Sequence, residues 1–254
     1  MGQLYHLQVG CGDASVIQAN SGTFLVDCHR IEEHASKLPA NKHLRGVFIT
    51  HQHSDHYSGL EYLRKRGYKI DYLVYAPYER RRGDASVTIE EWNEFADHRD
   101  FFKRQGTELR APFGQNTFEK AWWTNGDVKF WMLGPAEAVA TSSTRELHDA
   151  CLVFRADLGS RICLFTGDAS DTNLQDVARV GNICGDILHA SHHGSINGAD
   201  LDFIKSAKAD YTVISTESGV YQNVPHPTAL RRYKDHTAKA VRRTDQDGTR
   251  VWKF

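Results

Sequence analysis

Six residues constrain this chain more than any other stretch: His51-Gln-His-Ser-Asp-His56, directly after the apolar run Gly46-Val-Phe-Ile-Thr50. An apolar run of that length reads as a buried strand, and four potential metal ligands follow it within six residues. On an extended chain past Thr50, side chains 51, 53 and 55 point the same way, so two imidazoles and a carboxylate converge. A turn at Ser54–Asp55, heading into a helix, brings His56 to a second ion a few Å away. Neutral imidazole suits zinc, iron and manganese, and Asp adds a hard, anionic oxygen. The competing reading, a solvated histidine-rich loop, leaves the apolar strand before it unexplained.

Composition sets the frame around that cluster. The 254 residues are 40% hydrophobic and 11% aromatic, enough for a sizeable core and too apolar for a disordered chain. No apolar run approaches the ~20 residues of a membrane span, so no membrane insertion is expected. The opening Met-Gly-Gln-Leu-Tyr-His lacks the basic and apolar regions of a secretory signal, and His6 stands where a myristoylation motif has Ser or Thr. The expectation is a cytoplasmic protein. Five scattered cysteines (Cys11, Cys28, Cys151, Cys163, Cys184) form no C-x-x-C pair, so neither a disulfide framework nor a thiolate zinc site is expected.

Strands and helices alternate through both halves, without linker or repeat, which predicts one domain over 1–254. Strands are predicted at Tyr5–Val9, Ser15–Ala19, Thr23–Asp27, Gly46–Thr50, Tyr72–Tyr75, Val128–Leu133, Cys151–Ala156, Arg161–Thr166, Asp186–Ala190, Tyr211–Ser215, Ala240–Arg243 and Thr249–Phe254. Helices are predicted at Ile31–Leu38, Leu60–Arg66 with Gly67 as its stop, Ile89–Gln105, Asn173–Val180, Leu201–Ala207 and Thr228–Asp235. A less regular, aromatic-rich segment spans about 77–125. With Trp92, Phe95, Phe101, Phe102 and Trp122-Trp123, it reads either as a cover over a site that stacks bases or as a core helix or dimer surface.

The run H-x-H-x-D-H resembles the signature of the metallo-β-lactamase superfamily. That resemblance implies an α/β fold, a four-layer αββα sandwich, with a dinuclear site on one edge of its two sheets. The family's other motifs are matched by Asp27 closing Phe24-Leu-Val-Asp27, by His148 in Glu146-Leu-His-Asp149, and by Asp168 in Leu164-Phe-Thr-Gly-Asp168. Ser191-His-His-Gly-Ser195 supplies a last histidine. Through family roles, His51, His53 and His148 hold one metal. Asp55, His56 and His192 hold the other, with Asp168 bridging and Asp27 orienting a ligand histidine. His192 and His193, if on a strand, face opposite ways; the reading adopted is His192 as ligand and His193 toward substrate. His148 reads alternatively as a surface residue at a strand start.

Three further stretches resemble the hydrolase domain at the end of the competence-type DNA-uptake proteins (ComEC). They are Ser191-His-His-Gly-Ser195, Asn223-Val-Pro-His-Pro227 and Val241-Arg-Arg-Thr-Asp-Gln-Asp-Gly248. The resemblance implies phosphodiester hydrolysis of DNA or nucleotides by a metal-bridging hydroxide, on two divalent ions, Zn²⁺ foremost and Mn²⁺ or Fe²⁺ as substitutes. Asp55, His193, His226 and Asp27 are the catalytic candidates in that reading, and Ser195 and Asn223 the substrate-binding ones. His226 reads equally as a rigid-loop residue between two prolines. Arg80-Arg81-Arg82, Arg231-Arg232 and Arg242-Arg243 read as nucleic-acid contacts or, against a net charge of −1, as solvated faces. The rival functions are hydrolysis of a thioester, lactone or lactam, and a degenerate metal-binding partner module.

Overall fold

The structure, a computed structural model, describes residues 2–181 and 183–254. The strands are β1 Gln3–His6, β2 Ala14–Ala19, β3 Gly22–Cys28, β4 His43–Ile49, β5 Lys69–Tyr75, β6 Glu108–Arg110, β7 Trp123–Asn125, β8 Val128–Gly134, β9 Val153–Asp157, β10 Ile162–Phe165, β11 Ile187–His189, β12 Tyr211–Ile214, β13 Ala240–Arg243 and β14 Arg250–Lys253. The α-helices are α1 Ser54–Tyr57, α2 Leu60–Lys65, α3 Ile89–Arg104, α4 Glu137–Ala140, α5 Asp171–Val180, α6 Leu201–Ala207, α7 Pro227–His236 and α8 Thr244–Asp247. Among the described residues the strands form two sheets of seven, ordered β14-β1-β2-β3-β4-β5-β6 and β13-β12-β11-β10-β9-β8-β7. Each sheet is mixed: β3-β4-β5-β6 and β10-β11-β12-β13 run parallel, the rest antiparallel.

The layering follows from the two-residue period of the strands. Phe24 and Val26 of β3, with Phe48 of β4, point between the sheets and meet Phe130, Phe154 and Phe165. Leu25, Val47 and Ile49, one residue out of phase, point the other way onto Tyr57, Leu60, Leu63, Phe95 and Phe102 of α1–α3. The second sheet repeats the scheme, with Val153 and Leu164 packed on Leu174, Phe203, Ile204 and Tyr233 of α5–α7. The strands at the centre are therefore apolar on both faces, as parallel strands covered by helices must be. The result is the αββα sandwich.

Two short edge strands, β6 and β7, escape the sequence reading because three residues carry no usable period. Trp123 on β7 settles the aromatic segment in part. Its ring packs on Phe24, Phe130 and Tyr72 at 5.5, 5.4 and 4.8 Å, inside the sandwich rather than over a site. Gly67 takes φ +70° after α2, the left-handed stop expected of it. A threonine cap and Glu91 close the start of α3 reciprocally. Four of the cysteines are buried and Cys184 is exposed. Among the described residues no helix is long and apolar enough to cross a membrane.

Candidate metal centre

Loops leaving the carboxyl ends of β3, β4, β10 and β11 converge at one edge of the sandwich, where ligands of parallel α/β sheets characteristically bind. They are tied to one another through the backbone. Leu152 N–H donates to the Thr50 carbonyl, Ser170 N–H to the His148 carbonyl and His192 N–H to the Gly167 carbonyl. Gly167 sits at the crossing with φ +45°, and a Cβ there would lie 2.4 Å from Thr50 Oγ1.

Three imidazoles meet first. His51 Nε2 and His148 Nε2 lie 3.1 and 3.3 Å from His53 Nδ1. His53 presents Nδ1 because its Nε2–H is taken by the Ser86 carbonyl at 2.8 Å. His148 comes from a 3₁₀ turn, Leu147–Ala150, just ahead of β9. It is half-buried, which separates it from the free surface residue of the alternative reading. Burial pushes its pKa down to about 3, against a smaller upward pull from Asp168, so its lone pair is available at neutral pH. Burial likewise holds His51 well below the usual histidine range.

A second group lies beside it. His56 Nε2 is 3.3 Å from Asp168 Oδ1 and 4.0 Å from Asp55 Oδ1, and His193 Nε2 is 3.4 Å from Asp55 Oδ2 and 3.6 Å from Asp168 Oδ2. Each of these rings has its other nitrogen committed. His56 Nδ1–H donates to Asp27 Oδ2 at 2.9 Å, and His193 Nδ1–H to the Ser215 carbonyl at 3.0 Å. Asp27 is itself held by the Thr50 N–H and hydroxyl at 2.7 and 2.8 Å. Burial works against charge on His56 and His193, but the surrounding carboxylates, Asp168 foremost, outweigh it and raise both. Asp168 is pushed up by burial and pulled well below its usual value by His193, His56 and His192 together.

His192 and His193 do not lie on a strand. β11 stops at His189, and both histidines occupy a 3₁₀ turn in the left-handed region, with φ of 52° each. Two non-glycine residues there cost roughly 1–2 kcal/mol each, a strain that clusters at functional sites. The turn brings His193, rather than His192, to Asp55 and His56. His192 lies instead beside His148 and Asp168, at 3.8 Å from Asp168 Oδ2, and stays half-exposed.

The other singled-out residues sit outside this group. His226 caps α7, its Nδ1 accepting the Thr228 N–H at 3.1 Å, and its N–H reaches the Gly194 carbonyl. Ser195 Oγ accepts the Asn197 N–H, and Asn223 is exposed with φ 59°. Among the described residues a cleft of about 470 Å³ over the cluster is lined by Ser54, Asp55, Glu91, Tyr221 and Val224 along with the histidines, and not by Ser195, Asn223 or His226. Arg243 pairs with Asp245 at 2.6 Å and Arg242 with Asp247, so the closing Arg-Arg-Thr-Asp stretch is structural. Thr244 Oγ1 and Asp245 pin the Thr216–Ser218 loop that leads to Tyr221.

The sequence reading missed Asp13. It is buried in the β1–β2 loop, with Oδ1 3.5 Å from His193 Nδ1 and Oδ2 3.5 Å from His189 Nδ1. Its only signal is an Asp within the tight Gly10-Cys-Gly-Asp13 stretch. Glu91 and Tyr221 carried no signal at all.

The donor set fits metal ions. Three buried atoms that face one another, His56 Nε2, His193 Nε2 and Asp168 Oδ1, have no hydrogen-bond partner. Buried polar groups go unpaired at a cost of about 1–3 kcal/mol each, and a cluster of such donor atoms suits a shared electrophile. Four carboxylates, Asp13, Asp27, Asp55 and Asp168, crowd the same spot, and cations would relieve their repulsion.

A fold of this layering with His and Asp ligands gathered at the sheet edge defines a metal-binding α/β sandwich. The sequence profile of the Metallo-beta-lactamase superfamily matches residues 9–218, and the chain belongs to that superfamily. No curated protein sequence matches it. Among solved structures it is similar to the metallo-beta-lactamase fold protein YhfI from Bacillus subtilis, with a TM-score of 0.60 and 17% identity over 99% of each chain. It is similar to CmlA, a diiron β-hydroxylase from Streptomyces venezuelae, with a TM-score of 0.60 and 15% identity over all of this chain and 54% of that one. A diphosphatase from the PhnP family matches with a TM-score of 0.53 and 15% identity over 100% and 98% of the two chains. At these identities the likeness concerns the fold.

Proposed function

We propose that the protein is a dinuclear metal-dependent hydrolase of phosphodiesters, a phosphodiesterase or nuclease acting on DNA or nucleotides. The observation that carries the reading is the pair of converging ligand groups, His51–His53–His148 and Asp55–His56–His193, with Asp168 between them. In this reading His51, His53 and His148 would hold one ion and Asp55, His56 and His193 the other, with the Asp168 carboxylate available to both. Two divalent ions there supply a nucleophile from water at neutral pH and Lewis acidity at the phosphoryl oxygens.

The chain's own residues do the rest. Asp27, the Ser86 carbonyl and the Ser215 carbonyl fix which ring nitrogen each histidine offers, and such partners orient ligands and raise their basicity. In this reading His192, half-exposed at the cleft and 3.8 Å from Asp168 Oδ2, donates a hydrogen bond to the leaving oxygen. Tyr221 and Val224 also line the cleft. The phosphodiester preference rests on the ComEC-like stretches, of which His192, His193 and Val224 line the cleft.

Hydrolysis of bis(p-nitrophenyl) phosphate and of single- and double-stranded DNA by protein reloaded with Zn²⁺ or Mn²⁺ tests this, with Asp168→Ala alongside. Cleavage lost in the variant is the expected outcome. Two bound ions with no phosphodiester turnover would move the assignment to thioester, lactone or lactam substrates. Failure to bind any ion would leave a degenerate module.

A further inference from the structure

A second cleft, of about 650 Å³, lies apart from the metal-bearing one. It lies behind the loop that carries Ser86, between the Pro77–Arg81 stretch, α3 and the Ala140–Arg145 segment. Four arginines (Arg80, Arg81, Arg99, Arg145) and one glutamate (Glu79) line it, a local excess of three positive charges on a chain whose net charge is −1. Trp92 and Phe113 add aromatic walls.

Arg99 is paired with Asp100 at 2.9 Å, whereas Arg80, Arg81 and Arg145 are held by backbone carbonyls. Arg81 donates to the Thr141 carbonyl at 3.1 Å, Arg145 to the Glu79 and Ser142 carbonyls at 2.7 and 3.3 Å, and Arg80 to the Val87 and Asp84 carbonyls. Backbone carbonyls orient these forks while leaving their full charge. Arg145 also lies over the Tyr78 ring at 5.1 Å, and its Nε is buried without a partner. Burial, and after it the adjacent Arg81 charge, hold Arg145 below the usual arginine value. Two cations set side by side with free donors form a bidentate anion site, for which arginine geometry is suited.

The cleft is also physically joined to the metal centre. The Tyr78 hydroxyl bonds Ser86 Oγ, whose own carbonyl takes the His53 Nε2–H, and the Leu147 N–H donates to that same Oγ one residue before His148. Consecutive residues of α3 serve the two cavities, Glu91 facing the metal-bearing cleft and Trp92 this one.

We propose that this arginine cleft binds a nucleotide unit neighbouring the scissile phosphodiester, its phosphate on Arg81 and Arg145 and its base against Trp92 and Phe113. The inference rests on the phosphodiesterase reading for the word neighbouring, and the cleft makes the enzyme selective for strands over small diesters. A flat base and a dianionic or monoanionic phosphate match what the walls offer: π-faces for stacking and guanidinium forks for oxygen.

The probe is 5′-fluorescein-labelled hexathymidylate, its binding to metal-loaded protein followed by anisotropy at several salt concentrations, with bis(p-nitrophenyl) phosphate turnover as the control. Arg81 is exposed, so Arg81→Ala and Arg81→Glu keep the fold; Arg145→Lys tests the second fork without emptying its place. Arg81→Ala should weaken hexathymidylate binding roughly five- to tenfold, Arg81→Glu more. The slope of log affinity against log salt should fall by about 0.7, one phosphate contact on a single strand. Turnover of the small diester should stay within about twofold. Affinity and slope unchanged in all three variants would overturn the cleft assignment while leaving the proposed function standing. Arginine-dependent binding without cleavage of any phosphodiester would do the reverse.

Discussion

Asp27, next to last in β3, lies in the left-handed region, φ 52°, and its two oxygens take three hydrogen bonds, two from Thr50 and one from His56 Nδ1–H. An amide in its place must turn its NH₂ toward one of those donors. Asp27→Asn is therefore expected to release the His56 ring and weaken one metal site about 10–100-fold, read by competition with a chelator. The neighbouring pair of histidines gives a sharper contrast. His193→Ala should leave about one ion per chain by elemental analysis, since His193 is the ring that meets Asp55 and His56. His192→Ala should retain two ions and lose turnover. The opposite pattern would restore His192 to the ligand role that the sequence alone suggested.

Among the elements, the loop after β10 does the positioning of Asp168. Gly167 meets Thr50 of the first sheet's loop and Cys151 of the second, leaving no room for a side chain. In Gly167→Ala the left-handed backbone costs roughly 1–2 kcal/mol and the overlap with Thr50 Cβ and Oγ1 about 1–3 more. Stability by urea unfolding should drop by about 3 kcal/mol, with metal content reduced because Asp168 moves. A drop below about 0.5 kcal/mol would show that the loop yields freely. At the same scale, the opposed faces that a strand would give His192 and His193 do not arise: β11 stops at His189, and both histidines follow it on a left-handed 3₁₀ turn.

Across the whole molecule, His6 of the first sheet stacks on His189 of the second at 5.1 Å and bonds Ser15, buried between the sheets. Burial, then the neighbouring His189, hold its pKa well below the ordinary value, against a smaller opposite pull from Asp13. The unfolded chain takes a proton on His6 near pH 6.5 and the folded chain does not. This residue's contribution is therefore complete above about pH 6.5 and is lost as pH falls from there toward the folded value. The stability gap between the metal-loaded protein and His6→Gln should accordingly shift by about 1 kcal/mol in favour of the variant between pH 7.5 and 5.5, measured by chemical denaturation. A constant gap would mean that His6 titrates alike in the folded and unfolded chains, and a gap shifting the other way that the fold keeps it protonated.

What the sequence determined by itself is local. The His51–His56 run, the apolar strand before it, the Asp27 and Asp168 strand ends and the alternating strands all depend on neighbours within a few residues, where pattern and spacing are legible. From those the metal chemistry could be expected, and the family resemblance they carry implied the αββα sandwich. The tertiary structure decided what depends on distant segments meeting. It chose which of His192 and His193 reaches Asp55, brought Asp13 against both His193 and His189, and put Trp123 inside the sandwich. It also gathered Arg81 and Arg145 into one cleft. A left-handed turn or a buried carboxylate is stabilised by contacts from far along the chain, and no local period records them.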